Sequence, residues 1–417
     1  MAETLIAARR IVPAVPLPGN KAGDEPGVIS PGYVLVRDGR IAAVAQGRPP
    51  RAPDVDIPSG LLVPGFVDLQ VNGYFGEELG ATDPSGWRTV ARRLPETGTT
   101  AFAPTFITAP VPELARALRA AAELVPALSG PPGADAGEEP GARVLGVHLE
   151  GPFISARRAG AHNTDWITEP SADAVAELLA AGQGVLAIIT LAPELPGAIE
   201  AVRRLATAGV LVSAGHSDAT AAQVSAAADA GARMVTHLFN AQRPLHHREP
   251  GVAGQALSDP RLTSGLIADL HHVAAPVCGI AFAAAPGRIC LVTDAASCAG
   301  MPPGRYALGG EPIELPAGDG VPPVRADGTL AGSALRMDVA VANMARAGAS
   351  VPAAVAAATR IPADLIGRPE LGRITLGACA DLVWLGDDMR ARATWVSGRL
   401  AYTRPGGSLT PDQPDGR

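Results

Sequence analysis

Through the middle of the chain, short runs rich in Val, Ile, Leu and Thr alternate about eight times with Ala-rich stretches. Both ends read instead as short strands around turn signals. Strand–helix alternation means parallel strands joined by crossover helices, and eight such units fit a closed ring. The predicted fold is therefore α/β: a (β/α)8 TIM barrel with a small β-sandwich domain formed by the N- and C-terminal segments. A third observation agrees. Polar residues gather where the apolar runs stop, and a barrel of this kind carries its chemistry at the C-terminal ends of its strands. A length of 417 residues suits one large domain and one smaller one. The expected division is 1–62 with 375–402 for the sandwich, 63–374 for the barrel, and a disordered tail over 403–417.

Taken in order, the first strand is expected over 5–12. Strands over 33–37 and 40–45 flank Asp38-Gly39, a strong two-residue hairpin signal. The barrel strands follow over 65–71, 99–106, 143–149, 184–191, 210–214, 234–238, 263–268 and 288–293. Helices are expected over 84–96, 111–124, 171–181, 195–208, 220–230 and 275–284. The final strands lie over 381–385, 394–396 and 399–402, the last two separated by Ser397-Gly398. A doubly wound open sheet is the alternative, but no Gly-x-Gly-x-x-Gly follows the first barrel strand.

A composition 47% hydrophobic and 18% charged excludes disorder as the main state. A net charge of -7 argues against a nucleic-acid partner, which needs a basic face. No apolar run reaches the ~18 residues of a membrane helix. The start, MAETLIAARR, has an acid where a signal peptide needs basic residues. The four cysteines, Cys278, Cys290, Cys298 and Cys379, show no pairing motif and read as buried thiols of a reduced, cytoplasmic protein. Lys21 is the single lysine. The body of the chain therefore has no P-loop lysine, no Schiff-base lysine and no carbamylated lysine to bridge two metals.

The strand ends carry the chemistry. Gln70 and Asn72 end the first barrel strand, His148-Leu149-Glu150 the third, and Gly215-His216-Ser217 the fifth. Thr236-His237 ends the sixth, Asp269 with His271 and His272 the seventh, and Thr293-Asp294 the eighth. All 8 histidines fall between residues 148 and 272. Glu150, His216 and His237 supply one carboxylate and two imidazoles, a set suited to Zn2+ or Fe2+ with positions left for water. Such a cation lowers the pKa of bound water from ~15.7 toward ~7. An aspartate at the end of the eighth strand, Asp294, could accept a proton and return it to a leaving group. His246 and His247 lie in a polar loop and read as surface residues.

Six segments in order carry a resemblance: P-G-F-V-D-L-Q-V-N-G (64–73), G-V-H-L-E-G-P-F (146–153), S-A-G-H-S-D-A (213–219), T-H-L-F-N-A (236–241), R-E-P-G (248–251) and L-V-T-D-A (291–295). Over residues 5–402 the chain resembles the N-acetylglucosamine-6-phosphate deacetylase family of the amidohydrolase superfamily. The resemblance implies metal-dependent hydrolysis of the acetamide of N-acetyl-D-glucosamine 6-phosphate. It implies that Glu150, His216 and His237 hold the metal and that Asp294 is general base, then general acid. His162, beside Ala161, matches the histidine that contacts the acetamide carbonyl and stabilises the oxyanion. Asn240, Ala241, Arg248 and His272 match phosphate-binding positions. Asp269, Leu330, Ala331 and Gly332 match sugar-contacting segments. The family's arginine reaches across a dimer interface, so a homodimer is implied, and residues 300–328 would form a flexible flap.

Where many amidohydrolases have His-x-His at the first strand, this chain has Gln70 and Asn72. Neutral amides are poor zinc ligands, so one divalent ion per subunit is expected, zinc first, with Fe2+ or another ion as the alternative. The segment 267–273 has Leu-His where the family has Gly-Leu, which leaves His271 and His272 as competing candidates, His272 preferred. Two other readings stand beside this one: a different amidohydrolase reaction, such as cyclic amide opening or deacetylation of another amino-sugar phosphate, and a catalytically silent sugar-phosphate-binding protein.

Overall fold

The computed structural model describes residues 3–15, 27–130, 140–318 and 320–405. Lys21 and residues 406–417 of the expected tail lie outside the described residues, whereas Thr403, the first residue of that expected tail, still pairs in the last strand.

Eight parallel strands form the central ring: β1 (Phe66–Val71), β2 (Thr99–Ile107), β3 (Val147–Glu150), β4 (Leu186–Leu191), β5 (Leu211–Ala214), β6 (Met234–Val235), β7 (Thr263–Ile267) and β8 (Ile289–Val292). Each pairs in parallel with the next from β1 to β8. Between β8 and β1 the ring is brought nearly closed by Asp294 N–H donating to the Gln70 carbonyl at 2.9 Å and by a parallel bridge from Val71 to Ala295. β1, β3 and β8 are buried along their whole length, as expected for strands covered on both faces.

The predicted run 143–149 is broken. Arg143–Val144 pairs with β2 as a separate piece, and Gly146 sits at φ 112° before β3 begins. A Cβ at Gly146 would lie 2.7 Å from the Ala187 side chain, so the bend needs glycine on both counts. β6 is shorter than expected, because the chain turns left-handed at His237.

The helices follow local signals where those exist. Asp83 caps Pro84–Arg93 by accepting from Gly86 N–H, with proline in the first turn. Thr220 and Gln223 form a capping box at Ala221–Ala230. Helices over Gly251–Ser258, Met337–Arg346, Val351–Ala358 and Arg360–Leu365 were not foreseen.

The termini build two four-stranded sheets. One has the order Arg40–Gln46, Gly32–Arg37, Glu3–Ala8, Val55–Ile57; the other Arg399–Thr403, Ala391–Val396, Leu382–Leu385, Leu61–Pro64. Both anticipated hairpin turns are present, with Asp38 and Gly39 at φ 50° and 75°, and Ser397 and Gly398 at 49° and 72°. Left-handed backbone at both central residues matches the strand twist. Alternation then sorts the second sheet. Leu62, Leu382 and Trp395 pack with Ile6, Val34 and Ile57 of the first sheet, while Leu61, Val63, Val383 and Leu385 join the barrel's apolar core.

Within 300–328, Gly304–Leu308 and Glu311–Leu315 pair as an antiparallel hairpin. Its Leu308, Ile313 and Leu315 pack on Ala296, Cys298 and Ala331. The four cysteines are unpaired, and three of them are buried.

Candidate active site

Three strand-end residues share an unusual backbone. His216, His237 and Asp294 have φ of 47°, 27° and 51°. Left-handed geometry at a non-glycine residue costs about 1–3 kcal/mol and persists only where the surroundings impose it. Here it turns three polar side chains into one cavity of about 260 Å3 above the barrel.

In that cavity Glu150 Oε1 lies 3.2 Å from His216 Nε2 and 2.9 Å from His237 Nε2, and the two imidazole nitrogens are 3.0 Å apart. His216 Nδ1 meets the Arg158 carbonyl at 2.9 Å, which places its proton there and turns the Nε2 lone pair to the site. Burial disfavours ionised Glu150, but the close imidazoles of His216 and His237 outweigh it and hold the carboxyl well below its ordinary range. Three electron-pair donors thus meet at one point. Among the described residues, no lysine or arginine lines this cavity. His237 Nδ1, Gln70 Oε1 and Asn72 Oδ1 are buried without a hydrogen-bond partner. The donor set fits a divalent cation.

Asp294 faces this cluster. Asn72 Nδ2 donates to its Oδ1 at 2.7 Å, and Gln70 Nε2 donates both to Asp294 Oδ1 (3.1 Å) and to Glu150 Oε1 (3.0 Å). Gln70 therefore ties the two carboxylates together and Asn72 holds Asp294, roles the sequence did not reveal. Burial, and next the Glu150 charge, push Asp294 up to about 6. A base with that value is ionised at neutral pH yet basic enough to take a proton.

His162 presents a fourth candidate ligand atom, which with those of Glu150 and His216 lies within 4.8 Å of the others. Its tautomer separates it from the ligand set. Thr108 N–H points at His162 Nδ1 (3.3 Å), and Thr108 Oγ1 lies 2.7 Å from the same atom. A nitrogen that accepts from a backbone N–H carries no proton, so the proton sits on Nε2. Burial lowers His162 to about 3, keeping the ring neutral. His162 is therefore a neutral Nε2–H donor aimed into the cavity, 3.8 Å from Glu150 Oε2. Thr108 carries no motif signal of its own and was missed.

Ala161, Asn240, Ala241, His272, Leu330 and Gly332 also line the cavity. His271 is exposed, whereas His272 is held by Asp269, whose Oδ2 is 2.6 Å from Nδ1. Asp269 thus stands behind His272 and does not line the cavity itself. Ala331 is buried beneath the Leu308 hairpin. Asn240 N–H is taken by the His237 carbonyl at 2.9 Å. Arg248 lies outside the cavity on an exposed loop, its Nη1 donating to His247 Nε2 at 3.0 Å. His148 is a packing residue: its ring bridges the Leu69 carbonyl (3.0 Å) and Thr190 Oγ1 (2.8 Å).

A parallel barrel with carboxylate and imidazoles converging above it defines a class of metal-dependent hydrolases. The chain belongs to the amidohydrolase family, whose model matches residues 61–401. It is 40% identical to the N-acetylglucosamine-6-phosphate deacetylase of Bos taurus, over 82% of this chain and 83% of that one. It is 36% identical to the N-acetylgalactosamine-6-phosphate deacetylase of Escherichia coli O157:H7, over 90% and 96%. Among solved structures, an aspartate-to-alanine mutant of the N-acetyl-D-glucosamine-6-phosphate deacetylase of Mycobacterium smegmatis, in complex with N-acetyl-D-glucosamine-6-phosphate, superimposes with a TM-score of 0.87 at 31% identity. It covers 97% of this chain and 100% of that one.

Proposed function

We propose that this hydrolase removes acetate from N-acetyl-D-glucosamine 6-phosphate, leaving D-glucosamine 6-phosphate. One observation carries the reading: Glu150, His216 and His237 converge on one point, with Asp294 on one side and the His162 Nε2–H on another. The names of its relatives supply the substrate.

In this reading Glu150, His216 and His237 hold one divalent ion, zinc before Fe2+. Such an ion would act as a Lewis acid and lower the pKa of a bound water toward ~7. Asp294 takes a proton from the attacking water, held in aim by Asn72 and Gln70. As the carbonyl carbon becomes tetrahedral, His162 Nε2–H donates to the developing oxyanion, where a donor is worth about 3 kcal/mol. Asp294 then protonates the departing amine. The phosphate lies against Asn240, Ala241 and His272. Arg248 completes that site from the neighbouring subunit of a homodimer, since its own loop stands outside the cavity. The terminal sheets, 1–62 with 375–402, form a supporting domain for the barrel over 63–374. The unpaired thiols suit a cytoplasmic setting, and among the described residues no helix is long and apolar enough to cross a membrane.

The galactosamine relative favours a second reading, deacetylation of the galacto epimer. Acetate release from the two 6-phosphates and from unphosphorylated N-acetylglucosamine decides among them. Turnover is expected with N-acetylglucosamine 6-phosphate, and loss of at least about a hundredfold without the phosphate. Equal rates on the unphosphorylated sugar would sink the proposal.

A further inference from the structure

A second cavity, of about 550 Å3, opens beside the first. The two share three wall residues, Asn72, Ile107 and Leu308. Because Asn72 donates to Asp294 at 2.7 Å, the second cavity begins one side chain away from the base. Buried Leu114 and half-buried Ala117 of the helix Val111–Ser129 line it, as does the exposed Arg116.

Its position in the ring gives it a meaning. Asn240 and Ala241 follow β6 and His272 follows β7, whereas Ile107 ends β2. In an eight-strand ring β2 is four strands from β6, the opposite side. A hexose acylated at its 2-amine and phosphorylated at C6 carries those two groups on opposite edges. With phosphate near β6 and β7 and the amide carbon beside Asp294, the acyl chain extends toward β2. Resting on the function proposed above, we propose that this second cavity is an acyl subsite that admits linear N-acyl groups longer than acetyl, of about three to six carbons. Water adds to the carbonyl, the C–N bond breaks, the amine leaves with a proton, and the linear carboxylic acid departs as its carboxylate.

The test compares kcat/KM for the N-acetyl, N-propionyl, N-butyryl and N-hexanoyl derivatives of glucosamine 6-phosphate on the metal-loaded enzyme. The propionyl and butyryl substrates are expected within about tenfold of acetyl, whereas a closed pocket rejects misfitting chains by about 10–200-fold. Ala117→Phe should cut hexanoyl and butyryl turnover at least about tenfold and leave acetyl within about twofold. If that variant does not fold, Ala120→Trp, at another wall residue of the same cavity, serves the same purpose. Rejection of butyryl by the unaltered enzyme overturns the subsite, and so does hexanoyl turnover that neither variant reduces. Failure on acetyl itself overturns the underlying function, a result distinct from either.

Discussion

Asp381 and Glu150 are both buried carboxylates, one at the seam between the terminal sheets and the barrel, the other at the barrel mouth. Asp381 is matched group for group: Arg143 grips it with two nitrogens, and Ser397 N–H donates to Oδ1 at 2.8 Å. Glu150 instead has two imidazoles, an amide it shares with Asp294, and no arginine. The backbones differ in the same way. In the terminal sheets left-handed residues sit at Asp38 and Ser397, where hairpin twist calls for them. At the barrel mouth they sit at His216, His237 and Asp294, where no hairpin needs them. A saturated buried charge is fastening. An incompletely matched one, faced by side chains on strained backbone, is poised to take a cation or a proton.

The sharpest way to break this contrast is Asp294→Asn. It should lower kcat by about 10^3–10^4 while metal content and unfolding midpoint stay near normal; near-native turnover would remove Asp294 as the base. At the other site, Arg143→Met should cost about 3–5 kcal/mol of stability in denaturant titration, because it leaves Asp381 buried and unpaired. The folded fraction should keep its kcat/KM. Loss of activity without loss of stability would mean that the seam is not simply structural. His162→Ala should reduce kcat by about 10^2–10^3 with metal retained; loss of metal instead would return His162 to the ligand set. Thr108→Val keeps the backbone N–H but loses the hydroxyl, and should lower kcat about three- to tenfold. Long-range 1H–15N spectra should still find the His162 proton on Nε2 in the unaltered protein; a proton on Nδ1 would contradict the assignment. Last, the required form of Asp294 is the carboxylate, and burial raises its pKa to about 6. Activity should therefore decline as the pH falls through about 6, measured as kcat/KM, and a flat profile down to pH 4 would count against Asp294.

Much of the architecture was legible. Eight strands in order and the two hairpin turns are written in residues a few positions apart, where periodicity and turn chemistry operate. The unforeseen helix Gly251–Ser258 starts at a glycine with φ 60° and contains a second glycine, so propensity argues against it; burial of Val252, Ala253 and Ala256 holds it. The separate piece at Arg143–Val144 likewise depended on Ala187, which crowds Gly146 from another strand. At the site, the polar residues themselves were legible because they interrupt apolar runs. Their partners were not: Gln70 and Glu150 are 80 positions apart, and Asn72 and Asp294 are 222.

By itself the sequence determined that Glu150, His216, His237 and Asp294 reach the barrel mouth, because the end of a strand decides where they point. Only the tertiary structure decided what each one does there. It assigned the His162 proton through Thr108, put His272 in the cavity wall against Asp269 while leaving His271 exposed, and made Gln70 and Asn72 donors to carboxylates. The reason is range. A strand's direction is a local property of the chain, but a hydrogen bond depends on tenths of an ångström between segments that meet only when the ring closes.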